Sequence, residues 1–106
     1  MPQFVMKLVH PPDQCPIANS KIRQLMVTGA AEMPTLAQKL GIKFVAGPFT
    51  LGSEHEGLAI VEAANAEAVN DFAMQGGLVQ WNSIRVILAI PLEESMKDLD
   101  KIAPIY

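Results

Sequence analysis

Two β-prone runs in this chain, Gln3 to His10 (QFVMKLVH) and Ser83 to Ile90 (SIRVILAI), each stop against proline. Proline has no backbone N–H, so Pro11-Pro12 and Pro91 cannot extend a hydrogen-bonded ladder, and both strands have defined ends. After the first strand, Asn19-Ser20 offers a helix N-cap. From there Ile22, Leu25, Met26, Ala30, Met33, Leu36, Ala37 and Leu40 recur in steps of three, one and four, the spacing of one helical face, and Gly41 closes the segment. Pro34 lies inside this stretch and removes one backbone bond, but the apolar phase survives across it, so the pattern predicts one kinked helix and not two. Ile42 to Leu51 (IKFVAGPFTL) reads as a second strand, with Gly47-Pro48 marking a bulge or an edge. Gly52-Ser53 supplies a turn into a third strand, His55 to Ala63. Asn65 caps a second helix carrying Val69, Phe72 and Ala73, which ends at Gly76-Gly77. Leu92, Met96, Leu99 and Ile102 predict a short C-terminal helix before a tail from Pro104 to Tyr106.

The order is β-α-β-β-α-β plus an appended helix, an α+β class with the ferredoxin-like split βαβ arrangement. A chain of 106 residues accommodates one such domain, with its core in residues 3–90 and the helix and tail in 92–106. Half the residues are hydrophobic and 18% are charged, a balance that buries a core and excludes disorder. The net charge is −3 with no basic run, so nucleic acid is not an expected partner. No apolar stretch approaches the roughly 20 residues of a membrane span, and the N-terminus lacks the zones of a signal peptide, so no membrane and a cytoplasmic location are expected. A single cysteine, Cys15, excludes an intrachain disulfide.

The element order over residues 3–90, together with motifs such as VEAANAEAVNDF leading strand three into helix two, resembles the dimeric α+β barrel superfamily. That superfamily includes small monooxygenases, muconolactone-isomerase-like proteins and many uncharacterised members, and the resemblance implies a homodimer. Residue parity points the same way. In strand four Ile84, Val86, Leu88 and Ile90 alternate with Ser83, Arg85, Ile87 and Ala89, and in strand one Phe4, Met6 and Leu8 alternate with Val5, Lys7 and Val9. Both faces are substantially apolar, whereas two helices cover only one, so a second copy packed sheet to sheet is the expected cover, with the C-terminal segment a candidate to cross over.

The strand order implied by this fold, four-one-three-two, sets the end of strand one beside the start of strand three. The only two histidines, His10 and His55, therefore become neighbours, and Cys15 follows in a proline-restrained loop leaving the same edge. Two imidazoles and a thiolate are ligand types favoured by zinc, copper or iron. Of the carboxylates flanking His55, strand parity turns Glu56 away and leaves Glu54 as the candidate fourth ligand. The blander reading makes the histidines solvent-facing caps and Cys15 a small buried hydrophobe.

A second functional reading is a cofactor-independent enzyme acting on a small organic molecule, one histidine serving as acid or base and Trp81, Asn82 and Arg85 forming the cavity wall. A third is a ligand-binding module without catalysis. Small haem-degrading relatives within the resemblance use an Asn, a Trp and a His, and that set does not fall on the matching elements here, so haem is disfavoured. Met6 shares a face with His10 but lies about 13 Å away at strand rise, too far to be a fellow ligand. Lys7 and Glu62 interrupt apolar strands and read as a buried pair or as polar wall residues, with Lys7 snorkelling from the sheet as the plainer alternative.

Overall fold

Alternation along β1 (Gln3–Val9) sends Phe4, Met6 and Leu8 into the interior and leaves Val5, Lys7 and Val9 on the opposite side. The computed structural model describes residues 1–106 and places β1 in a four-stranded antiparallel sheet with β2 (Lys43–Thr50), β3 (Glu56–Glu62) and β4 (Ser83–Ala89). The order β2-β3-β1-β4 is the arrangement anticipated from the sequence. With α1 (Ser20–Leu40), α2 (Ala66–Gln75) and the short α3 (Leu92–Met96), this is an α+β fold on an open sheet, consistent with the ferredoxin-like class.

Both long helices begin where a side chain satisfies an orphan donor. Asn19 Oδ1 accepts from the Ile22 N–H at 3.1 Å and Asn65 Oδ1 from the Ala68 N–H at 2.9 Å. α1 runs unbroken through Pro34 for 21 residues and stops at Gly41, whose φ of 70° closes the last turn. Its inward face is shorter than the periodicity suggests. Ile22 and Ala37 are buried and Met33, Leu36 and Leu40 pack on the core, whereas Leu25, Met26 and Ala30 stay exposed because the sheet does not reach them. In α2 the apolar stripe Val69, Phe72 and Ala73 is buried throughout. Phe72 anchors the core among Phe4, Met6, Val61 and Ala63 and meets Phe44 edge-on at 5.7 Å.

The bulge that Gly47-Pro48 marked in the edge strand is present, whereas the C-terminal helix is shorter than its apolar spacing predicts. β2 pairs with β3 through register shifts around Gly47, which takes φ 82° where a Cβ would lie 2.8 Å from the Leu58 carbonyl oxygen. The C-terminal helix covers only Leu92–Met96, followed by a separate turn at Leu99–Lys101, and every residue from 91 to 106 is exposed. No helix is long and apolar enough to cross a membrane.

The helices lie over only one face of the sheet. The other presents Val5, Leu58, Ile60, Ile87 and Phe49, with Lys7, Arg85, Glu56 and Glu62 among them. Phe49 is half exposed.

Removing the Phe72 ring leaves a cavity at the centre of the core. Phe72→Ala is expected to cost about 3–5 kcal/mol in urea unfolding, whereas Met74→Ala, on the outer face of the same helix, stays within about 0.5 kcal/mol. Equal shifts for the two would contradict this placement of the core.

Candidate metal centre

Pairing of β1 with β3 does not stop at the strand ends. The His10 N–H donates to the His55 carbonyl at 3.0 Å, one step beyond the Val9–Glu56 pair. Since Leu8 points inward and Val9 outward, His10 returns to the helix-covered side. His55, read from sequence as the first residue of strand three, instead closes the preceding turn, and the strand starts at Glu56. The turn is held by the Glu54 N–H donating to the Leu51 carbonyl at 3.2 Å and the Leu51 N–H donating to the Glu56 carbonyl at 3.0 Å.

His55 is the one non-glycine residue with positive φ, at 56°. Left-handed backbone costs an L-residue about 1–2 kcal/mol, so the turn stores strain at this position. In that conformation its ring meets His10 edge-on, centroids 5.4 Å apart and planes at 76°.

Cys15 reaches the same place from the other side. A short turn over Pro12–Gln14 leads into it, and its own carbonyl accepts from the N–H groups of Ala18 (3.0 Å) and Asn19 (2.8 Å). Arg23 of α1 and the N-cap residue Asn19 then pin the loop. Arg23 Nε donates to the Pro16 carbonyl at 2.9 Å and Nη2 to the Ile17 carbonyl at 2.7 Å, while Asn19 Nδ2 donates to the Asp13 carbonyl at 3.0 Å. These bonds tie the proline-rich loop to the start of the helix. Cys15 is buried as a result, and its thiol is free.

The outcome is a close set. One donor atom from each of His10, Cys15 and His55 lies within 4.8 Å of the other two. Bonds of about 2.0–2.1 Å to imidazole nitrogen and about 2.3 Å to thiolate hold two donors of one tetrahedral ion roughly 3.3–3.8 Å apart. Small side-chain rotations therefore close the set around an ion.

Both ring nitrogens of His10 are shut off from solvent and have no hydrogen-bond partner. A neutral imidazole offers one N–H and one lone pair, and each left unmet in the interior costs about 1–3 kcal/mol. An ion bound at one nitrogen answers that deficit directly. His10 is otherwise held by contacts alone, with Trp81 tilted against it at 5.2 Å between ring centroids.

The remaining sequence candidates take other positions. Glu54 is exposed and stands outside the close set. Glu56 points to the opposite face and pairs with Lys7 at 3.3 Å, so the partner of Lys7 is Glu56 and not Glu62. Trp81 packs against His10 as a wall residue, but Asn82 turns its amide to the Leu78 carbonyl at 3.1 Å, and Arg85 lies on the open face opposite Lys7. A cavity of about 130 Å³ between α1 and α2, lined by Met33, Leu36 and Phe72, and a more open one of about 600 Å³ beside Pro2, Leu88 and Pro91 both lie away from the close set. Arg23 and Asn19 were missed as positioning residues. Their signal is an arginine and an asparagine at the start of a helix that follows a proline-rich loop.

No protein-family model, curated protein or solved structure matches the chain, so what this centre does is read from its own donors and surroundings.

Replacing His10 by an apolar side chain of similar volume removes two unmet polar atoms. His10→Leu is expected to raise the stability of the metal-free protein by about 1–2 kcal/mol in urea unfolding. A loss of stability would show that the imidazole nitrogens already have partners.

Proposed function

We propose that this chain is a metalloprotein of the dimeric α+β barrel type that holds one transition metal ion per protomer on His10, Cys15 and His55. The observation that carries this reading is the pair of buried, unpartnered nitrogens of His10 inside a set completed by Cys15 and His55. A structural histidine in the interior normally spends its N–H on a carbonyl or a carboxylate, and a ligating histidine commonly does so with the nitrogen that the metal leaves free. Here neither nitrogen is spent.

Two imidazoles with one thiolate suit zinc, copper or iron, and a three-ligand set leaves room for a further, non-protein ligand at the ion. When bound, the ion supplies Lewis acidity or a redox couple. The chain's own residues do the positioning. The left-handed turn aims His55, the β1–β3 ladder fixes His10, and Arg23 with Asn19 holds the Cys15 loop inward.

Untagged protein is expected to carry or take up about one equivalent of metal per chain by elemental mass spectrometry, and the His10→Ala/His55→Ala double variant none. Alkylation of Cys15 should be slow in the loaded protein and become fast on adding a chelator. No uptake of zinc, copper or iron by folded wild-type protein would end this reading.

The open sheet face is the proposed seat of a second copy. It is apolar at its centre and carries an unpaired cation, Arg85, and an unpaired anion, Glu62. A two-fold contact puts the same patch on both partners, so each unpaired charge meets a copy that bears its opposite. Wild-type protein is expected to run as a dimer by light scattering at micromolar concentration, and Ile60→Asp as a folded monomer that still binds metal. A monomeric wild type would remove the dimer from the proposal and leave the metal centre standing.

A further inference from the structure

The three donors, taken with what surrounds them, also discriminate among metals. We infer that the centre is built for monovalent copper, an inference that rests on the metal reading above.

Charge is the first reason. The set comprises two neutral imidazoles and one thiolate, with no carboxylate in it. Both acidic neighbours of His55 are accounted for, Glu54 exposed to solvent and Glu56 engaged with Lys7 on the far face. Asp13, in the Cys15 loop, is exposed, and its contribution there is a backbone carbonyl for Asn19. A singly charged ion on this set gives a neutral complex. A divalent ion leaves one positive charge in a place where the His10 nitrogens and Cys15 are withdrawn from water, and an uncompensated buried charge is strongly disfavoured.

Coordination number is the second reason. Zinc closes at four ligands, and with three from the protein it needs a water or an outside donor for the fourth. Monovalent copper, a soft ion with a filled d shell, is satisfied by three donors and favours thiolate among them. The chain offers no fourth donor beside them, since His10 is otherwise flanked only by the rings of His55 and Trp81.

The two arguments are independent and select the same ion. On binding, the Cys15 S–H bond breaks, a copper–sulfur bond forms, and the proton passes to the buffer. Copper enters and stays monovalent, so no electron is exchanged. The chemistry implied is custody of reduced copper, or its transfer to an acceptor that offers more thiolates.

The test is an anaerobic competition titration of the reduced full-length protein. Monovalent copper is presented as its bicinchoninate complex and zinc as its complex with a chromophoric chelator. Chelator absorbance and the fluorescence of Trp81, the only tryptophan, are followed together. One copper per chain is expected, with quenching of Trp81 and an affinity at least about a thousandfold above that for zinc. Cys15→Ser should lower the copper affinity by about a hundredfold or more, and wild-type protein alone decides the metal preference should that variant fail to fold. Zinc bound at one per chain as tightly as copper would overturn the inference while leaving the metal centre in place. Binding of neither ion would overturn both.

Discussion

The site depends on one backbone contact, the His10 N–H to the His55 carbonyl. It extends the β1–β3 ladder past the last pair of strand residues, and it joins two positions 45 apart in the chain at the point where each strand gives way to a turn. Register decides the rest. Because side chains alternate with a period of two, a slip of one residue would send His10 to the open face with Val5 and Lys7, away from Cys15. The buried row Phe4, Met6 and Leu8 resists that slip, since the same shift would expose all three. Core packing and the placement of His10 beside Cys15 are thus enforced by one alignment.

Around that alignment the molecule divides its polar groups between two faces. Lys7, Glu56, Arg85 and Glu62 lie on the uncovered side, where water or a partner surface can meet them. On the covered side the polar atoms at the sheet edge belong to His10, His55 and Asn82, with the Cys15 thiol beside them. His10 and His55 carry the local costs. His55 is held left-handed and His10 is left without hydrogen bonds. Such local deficits are where a folded chain departs from its own packing rules, and they converge here on donor atoms.

Much of this was legible in the residues. Prolines fixed the ends of β1 and β4, asparagines marked both helix starts, and the apolar phase across Pro34 identified α1 as one helix. The strand order implied by the sequence already brings His10, Cys15 and His55 into one neighbourhood. What sequence reasoning could not supply was conformation inside turns. His55 looked like a strand residue because HEGLAIVEA is β-prone, yet its left-handed φ follows from closing the Leu51–Glu56 turn and not from its own preference. Strand parity correctly turned Glu56 away but left Glu54 as the candidate, and a tight turn, where side chains diverge, leaves it in solvent. Of the roles open to Lys7, a pair with Glu62, a polar wall or snorkelling, none named Glu56, because that salt bridge reaches diagonally along the β1–β3 pair, a choice set by side-chain length and register together. At the C-terminus the helical spacing of Leu92, Met96, Leu99 and Ile102 was real, but no surface of the same chain receives it, and a helix without a packing partner stays short.

The most direct test of the central claim is X-ray absorption at the metal edge of the loaded, untagged protein, because it counts the donors around the ion. Two imidazole nitrogens at about 2.0 Å with one sulfur at about 2.2–2.3 Å are the predicted shell. A shell of oxygen and nitrogen alone, with no sulfur, would place the ion elsewhere and contradict the assignment of His10, Cys15 and His55 as its ligands.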